Sequence, residues 1–554
     1  MMRKNEIVRL VIEEINNLGC GVAHLTDAEG GRGQVVFVRD AVTGDELDAR
    51  IIKVNKNYLV ARIERLISPS PLRCQPDCTA TGCGGCVYRH VKYEHELELK
   101  RAYVQNAFRK AGLGDVKVAP VRHTGELCGY RNKAQYPVRN GKNGIEVGFF
   151  ATGTHRIVAA GDCKLQPPVF GELTAYVCRF CEKKRISAYD EESGSGLLRH
   201  VYLRCGAATG EIMVCLVLNG ETMPREQELA AGLLAEFPNV KSVLLNVNTE
   251  STNVVLGERY RLIGGRDYIE DELCGLRFRI SAGAFYQVNH NACELLYGIA
   301  KEKAGLTGKE TLLDLYCGIG TIGLSMADAA GEIIGIEIVD EAVERAKENA
   351  ERNGIGHASF YCGDASDACK LLKNAEAARG VLDPQNTVVV FDPPRKGSTE
   401  ELITYISERQ LNRVVYVSCN PDTLARDCVL FKKLGYQIGT VIPVDMFPRT
   451  GHVETVCLLS KLNAKQHIEI NLDMDELDLT DAEKKATYQE IKDYVLEHSG
   501  LKVSSLYIAQ VKQKCGIIER ENYNKPKSED AKQPQCPPHK EKAIKEALKH
   551  FGMI

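Results

Sequence analysis

Between residues 5 and 66 apolar and polar residues alternate, with breaks, in short runs that read as strands separated by turns: Ile7-Val-Arg-Leu-Val-Ile12, Gly21-Val-Ala23, Gln34-Val-Val-Phe-Val38, Asp45-Glu-Leu-Asp-Ala-Arg-Ile-Ile52 and Tyr58-Leu-Val-Ala-Arg-Ile63. A period of two is that of a strand with one buried face. Five such strands with Gly-rich connections predict a small β-barrel of the OB type, or another small β domain. A cysteine-rich loop follows, then a mixed region to about residue 285 whose strands and helices the pattern does not order. Beyond Asn291 the pattern becomes regular. A helix from Ala292 to Lys303 leads into strand Thr311-Leu-Leu-Asp-Leu-Tyr316, and Glu332–Glu337, Thr387–Phe391 and Arg413–Ser418 repeat the strand with helical segments between. That alternation predicts a mostly parallel sheet with helices packed on it. After Lys461 the chain turns charged and helix-forming. Thr480-Asp-Ala-Glu483 reads as a capping box opening a helix that stops near Gly500, a second helix runs from Ser505 to Cys515, and a Pro- and Lys-rich linker, Lys525–Pro538, precedes a last short helix. The first two helices have the spacing of a helix-turn-helix or of a plain helical appendage, and no chemistry is assigned to them.

The expected architecture is therefore multidomain α/β, divided at 1–68 (OB-like barrel), 69–290 (central mixed α+β domain), 291–462 (Rossmann-like domain) and 463–554 (helical C-terminal extension). A chain of 554 residues fits three or four domains at about 150 residues each. No apolar run approaches the ~18 residues that cross a bilayer, and the start has no signal-peptide core, so a cytoplasmic protein without a membrane partner is expected. The 21 cysteines are scattered, which favours reduced, metal-bound or catalytic thiols over a disulfide framework. A net charge of −3 carries no polyelectrolyte signature, so any nucleic-acid binding would rest on local patches, shape and stacking. Nothing in the sequence calls for an obligate protein partner.

The chemistry gathers where strands end. Val414-Val-Tyr-Val-Ser-Cys419-Asn-Pro421 is a buried-type strand closing on a cysteine, with Asn420 suited to cap the following helix and Pro421 to its first turn. The positive end of that helix is expected to lower the pKa of Cys419. Asp314-Leu-Tyr-Cys-Gly318-Ile-Gly320-Thr-Ile-Gly323 holds the G-x-G-x-x-G spacing of a dinucleotide loop, with Glu337 at the end of the next strand to bind ribose hydroxyls. A carboxylate at Asp314 sits poorly beside a pyrophosphate and well beside the ammonium of S-adenosylmethionine, which favours the methyl donor. Asp364 and Asp392 also fall at strand ends, so Asp314, Glu337, Asp364, Asp392 and Cys419 would share one rim of the sheet. If the last strand runs antiparallel, Glu454 at its start comes near Cys419, while His452 reads as a loop histidine. Cys74-x3-Cys78-x4-Cys83-Gly-Gly-Cys86 has the density of a metal site, zinc or iron–sulfur, without the radical-enzyme spacing.

Residues 5–460 resemble the RNA (uracil-5-)-methyltransferases, and within them the RumA (RlmD-like) type acting on 23S rRNA. The resemblance rests on Tyr130-Arg-Asn-Lys-Ala-Gln135, Phe285-Tyr-Gln-Val-Asn289, the Asp314–Gly320 loop, Asp392-Pro-Pro-Arg395, Ser418-Cys-Asn-Pro421 and Asp445-Met-Phe-Pro448 with His452-Val-Glu454. It implies that the barrel is a TRAM domain that binds RNA, that Cys419 is the nucleophile and Glu454 the base, and that Gln287, Tyr316, Glu337 and Asp392 line the donor and target site. It also implies a [4Fe–4S] cluster held by Cys78, Cys83, Cys86 and Cys163, with Cys74 the rival to Cys78 because the spacing departs from the family's. The expected reaction transfers a methyl group from S-adenosylmethionine to carbon 5 of a uridine in 23S rRNA, with a tRNA uridine as the alternative substrate and a non-catalytic RNA-binding iron–sulfur protein as a more distant one. Phe285 is a candidate for stacking on a splayed base, or else core packing.

Overall fold

The computed structural model describes residues 2–26, 31–141, 144–363, 382–461, 488–515 and 536–551. Two compact units are present, Met1–Ala464 and Lys465–Ile554.

The N-terminal segment forms a six-stranded sheet, one strand more than the pattern suggested. Its strands are β1 Ile7–Val11, β2 Glu14–Ile15, β3 Cys20–Thr26, β4 Arg32–Arg39, β5 Glu46–Val54 and β6 Tyr58–Ser68, paired in the order β1-β5-β6-β4-β3-β2. The extra strand, β2, is two residues long, too short to show a period. The alternation seen in sequence is the packing: Leu10, Val36, Val38, Leu47, Ala49, Ile51, Leu59 and Ala61 share one core. A single sheet that buries one face around one core must curl on itself.

Helix α1, Tyr93–Lys110, follows the cysteine loop. The region that could not be ordered contains β7 Lys133–Gly141, β8 Gly144–Phe150, β9 Ile157–Ala159, α2 Pro168–Lys183, β10 Leu198–Cys205, β11 Ile212–Leu218, α3 Glu226–Glu236, β12 Val240–Val247 and β13 Arg259–Gly265. Its strands make one sheet in the order β13-β12-β11-β10-β7-β8-β9, followed by a separate hairpin, β14 Tyr268–Leu273 with β15 Leu276–Ser281. Every residue of β10 and β11 is buried. Strands covered on both faces lose the alternation that a sequence reading depends on.

The third sheet positions the site. After α4, His290–Ala304, come β16 Thr311–Leu315, α5 Thr321–Ser325, β17 Glu332–Glu337, α6 Asp340–Arg352, β18 Ala358–Cys362, β19 Thr387–Phe391, β20 Arg413–Ser418, β21 Tyr436–Ile438, β22 Ile442–Val444 and β23 Glu454–Lys461. The order is β18-β17-β16-β19-β20-β23-β21, with β22 also on β23. Strands β16 to β20 pair in parallel, and β23 is antiparallel to β20. The chain winds outward through β17 and β18, then returns to place β19 on the other side of β16. In an open α/β sheet that switch point is where a ligand crevice opens, beyond the carboxyl ends of the strands.

In the second unit, helices Tyr488–Ser499, Ser505–Lys514 and Pro538–His550 surround a small core that includes Ile491, Val495, Ile508, Val511, Ile544 and Leu548. The first ends at Gly500, whose φ of 66° is the left-handed turn expected of a helix stop. The capping box at 480–483 lies outside the described residues. Among the described residues no helix is long and apolar enough to cross a membrane.

Candidate active site

Cys419 stands directly after β20, and the helix Pro421–Lys433 begins as its sequence dictates: Asn420 caps it by accepting from the Asp422 amide at 3.1 Å, with Pro421 in the first turn. Strand β23 returns alongside, Ser418 opposite Thr455, so that Glu454 arrives beside Cys419. Glu454 is 3% exposed. Asp392 follows β19 on the same rim, and Asp314 lies in β16 next to it. Glu337 closes β17. Asp364, the remaining member of the expected rim, lies outside the described residues.

The electrostatics reverse the expected effect on Cys419. The helix start is present, yet burial pushes the thiol up to about 11, and the carboxyls of Glu454 and Asp392 push the same way, against Arg395. The half-charge of a helix end does not outweigh desolvation together with two nearby acids. Glu454 is itself raised well above the ordinary carboxylate range, first by burial and then by Asp392. Burial carries Asp392 up to about 7. Cys419, Glu454 and Asp392 thus all lean toward their protonated forms, with Arg395 the cation that favours ionising both Cys419 and Glu454. Arg395 belonged to a quoted motif but had no assigned role.

The glycine-rich loop has the geometry of a cradle. Gly318 donates to Glu337 Oε2 at 3.0 Å, and Glu337 Oε1 accepts from the Ile338 and Val339 amides. Tyr316 takes a φ of 64° and Gly320 one of 83°, so the backbone between them folds back tightly under the crevice. Asp314 is fully buried, and its Oδ2 accepts from the Gly323 amide at 2.8 Å while its Oδ1 has no partner. Burial raises this carboxyl to about 7. A buried acceptor without a donor fits an ammonium group. Beyond Glu337, Ile338 and Val339 expose 56% and 53% of their surface, an apolar patch fit for a base.

Gln287 is buried, with its carbonyl held by Asn132 Nδ2 at 2.9 Å. Phe285, two residues earlier, is 63% exposed, which excludes core packing. His452 is held neutral, its pKa brought down to about 4 by burial and by Arg395, Arg131 and Lys100.

A cavity of about 690 Å³ opens at Cys419. Its walls join the sheet rim to the N-terminal barrel: Arg395, Cys419 and His452 on one side, Phe37, Arg39 and Tyr58 on the other. The two barrel rings meet edge to face at 5.5 Å. Sequence patterning identified the barrel but not that its β4 and β6 face Cys419.

The loop before β23 is fixed by a buried ion cluster. Lys100 Nζ bonds Glu96 at 2.8 Å, Asp445 at 2.7 Å and the Phe447 carbonyl at 3.1 Å, and the Tyr93 hydroxyl donates to Asp445 at 2.8 Å. All three charged groups are 1% exposed or less. These partners are about 345 residues apart, which hid them from a sequence reading.

Cys78, Cys83, Cys86 and Cys163 line one cavity of about 430 Å³ together with Arg89. Cys74 instead directs its thiol to the Arg89 carbonyl at 3.5 Å. Burial raises Cys83 and Cys86, and pushes Cys163 up to about 11. As they stand, no group of three or more His, Cys, Asp or Glu among the described residues is close enough to hold a metal ion. The amides of Val87 and Tyr88, next to Cys86, donate to the Arg449 carbonyl at 3.0 and 3.2 Å, so this loop backs the one that leads to Glu454.

Comparison with known proteins agrees with this geometry. The tRNA (uracil-5-)-methyltransferase family matches residues 213–462 and the TRAM domain residues 3–63. A Bacillus cereus protein named as an uncharacterized RNA methyltransferase is 40% identical over 463 residues, 83% of this chain and 98% of its own. One of the same description from Clostridium acetobutylicum is 37% identical over 467 residues, 83% of this chain and 98% of its own. The crystal structure of Pyrococcus abyssi tRNA (uracil-54, C5)-methyltransferase in complex with S-adenosyl-L-homocysteine superposes with a TM-score of 0.64 at 28% identity, covering 81% of this chain and 99% of that one. A tRNA enzyme thus shares most of the architecture, so overall organisation does not separate rRNA from tRNA as substrate. With strand order, rim chemistry and full-length relatives in agreement, the chain belongs to the RNA (uracil-5-)-methyltransferase family and carries a TRAM domain at its N-terminus.

Proposed function

We propose that this protein methylates carbon 5 of a uridine in 23S rRNA through a covalent adduct on Cys419. The observation that carries the reading is the meeting of Cys419 and Glu454 across the β20–β23 register, at the mouth of a cavity walled by the RNA-binding barrel. S-adenosylmethionine, when bound, supplies an electrophilic methyl group on a sulfonium. Asp314, Glu337 and Gln287 would hold it, the unpartnered Asp314 Oδ1 taking the ammonium and Glu337 the ribose. Tyr316, Gly318 and Gly320 shape the backbone beneath, and Asp364 completes the assignment.

The Cys419 thiolate adds to carbon 6 of the uracil, and the electrons displaced make carbon 5 an enolate-type nucleophile. Arg395 favours the thiolate, and a cationic ligand beside Asp392 and Glu454 acts in the same direction. Once carbon 5 carries its new methyl group, Glu454 removes the carbon 5 proton. The electron pair then re-forms the ring double bond and expels Cys419. The target base must leave its stack to reach the sulfur, and the exposed Phe285 ring offers it or its neighbour a new one.

For the cysteine cavity we favour a [4Fe–4S] cluster on Cys78, Cys83, Cys86 and Cys163 over zinc. The support is the resemblance and four thiols around one cavity, which a metal would ionise on binding. Its role is structural, since methyl transfer needs no electron. Brown protein from anaerobic purification that keeps its iron in Cys74→Ala and loses it in Cys78→Ala supports this. Colourless protein with stoichiometric zinc overturns it. Within the first unit, residues 1–68, 69–290 and 291–462 are the domains we assign. We place the protein in the cytoplasm, where rRNA and tRNA are modified, and none of the described cysteines is in a disulfide.

The second reading, a tRNA uridine, is favoured by the match to the Pyrococcus abyssi tRNA enzyme. Mapping 5-methyluridine in rRNA and tRNA from cells with the wild-type protein, without it, or with Cys419→Ala decides the matter. A 23S rRNA site lost in the last two supports the first reading, and a lost tRNA site the second. A site unchanged in Cys419→Ala refutes the nucleophile.

A further inference from the structure

Lys133 opens β7 opposite Arg204 of β10. Arg131 lies two positions earlier and so on the same face of the chain, paired with Asn289 beyond Gln287, while the intervening Asn132 turns the other way to hold the Gln287 carbonyl. Arg204 is 1% exposed and donates to the carbonyls of Ser281 and Ala284, 2.8 Å each, on the loop that presents the bare ring of Phe285. Three cations thus gather around one loop, and their donors are incompletely met: Arg131 Nε and Arg204 Nε have no partner. Burial, with Arg204 and Arg131 adding to it, brings Lys133 down to about 8. A half-buried ammonium beside two guanidiniums is repelled from both sides, an arrangement that an anion relieves and a cation worsens.

We propose that Lys133 is a phosphate-binding residue for the RNA strand, gripping a backbone phosphate next to the splayed uridine. This rests on the reading of the site as an RNA methyltransferase. Two features select an RNA phosphate over the carboxylate of the methyl donor. An exposed aromatic ring beside a cation cluster is the pairing by which single strands are held, base on ring and phosphate on cation. Of the groups assigned to the donor only Gln287 comes from this loop, while the carboxylates Asp314 and Glu337 lie on β16 and β17 and have polar partners of their own.

The test measures affinity for a uridine-containing RNA stem-loop across a potassium chloride series, for wild type, Lys133→Gln and Lys133→Arg, with S-adenosylhomocysteine affinity alongside. Losing one phosphate contact lowers the slope of log K against log salt by about 0.7, the single-strand value. Lys133→Gln is expected to show that drop, Lys133→Arg to keep the wild-type slope, and all three to bind S-adenosylhomocysteine equally, which also reports an intact fold. An unchanged slope in Lys133→Gln, or a loss of S-adenosylhomocysteine affinity in its place, overturns the proposal. Wild-type protein that binds this RNA with a salt-dependent slope yet methylates neither rRNA nor tRNA would fault the methyltransferase reading instead.

Discussion

The hydroxyl of Thr455 donates to the carbonyl of Ser418 at 3.0 Å, a side-chain bond added to the backbone pairing of the same two residues. It fastens the first turn of pleat in β23 to the last residue of β20. The neighbours that project past this point, Glu454 and Cys419, are thereby held together at the sheet rim. The positions of Cys419 and Glu454 are set by strand register rather than by a loop.

Because burial and two acids hold the Cys419 thiol near pKa 11, its alkylation in the ligand-free protein should be slow at pH 7. Below the thiol pKa the thiolate fraction rises about tenfold per pH unit. Iodoacetamide labelling followed by mass spectrometry should show that rise from pH 7 to 10. In Glu454→Gln a group that raises the thiol is gone, so labelling at a given alkaline pH should be faster. A rate already on its plateau at pH 8 would contradict the electrostatic account.

Asp314 carries a folded-state pKa raised to about 7, so the folded protein binds a proton that the unfolded chain releases near pH 4. Stability from this group is therefore lost as pH climbs from about 4 to 7 and stays lost above. Asp314→Asn should gain on wild type across that window, by on the order of 4 kcal/mol, and the gain should be flat beyond pH 8. Urea midpoints at each pH measure it. Saturating S-adenosylhomocysteine, whose ammonium would pair with the carboxylate, should close the gap. A difference independent of pH would contradict the assignment.

Lys100 balances two carboxylates at 0% exposure, of which Glu96 also meets the Arg449 guanidinium at 3.4 Å. Lys100→Met leaves Glu96 and Asp445 without it, and a buried pair broken in this way costs about 3–5 kcal/mol. Urea unfolding should show that loss, and kcat should fall in the surviving folded protein because the Asp445–Thr450 loop feeds β23. Wild-type stability in Lys100→Met would mean the cluster does not hold the loop.

Much of this was legible in the chain. The barrel strands bury one face, so their period of two was visible, and the parallel strands end in residues whose type already marks a ligand rim. Three things were not. Strands β10 and β11 are buried on both faces and carry no alternation. The Lys100–Asp445 pair joins residues whose proximity only the fold creates. The sign of the Cys419 shift was misjudged for a related reason: the helix start is written beside the cysteine, whereas the acids that outweigh it arrive from β19 and β23.

Tyr58 is 39% exposed and walls the cavity at Cys419. Replacing it with alanine should weaken RNA binding by about 1–3 kcal/mol, the worth of one stacked base, without changing affinity for S-adenosylhomocysteine. Equal RNA affinity in Tyr58→Ala would remove the barrel wall from the binding surface.

The central claim is a transient bond between one sulfur and a pyrimidine ring, and 5-fluorouridine RNA tests it directly. Fluorine at carbon 5 cannot leave as a proton does, so turnover should stop at the adduct in the presence of S-adenosylmethionine. Peptide mapping of the trapped species should find the nucleotide on Cys419, and Cys419→Ala should trap none. Enzyme that methylates ordinary uridine RNA yet forms no adduct at Cys419 would contradict the account.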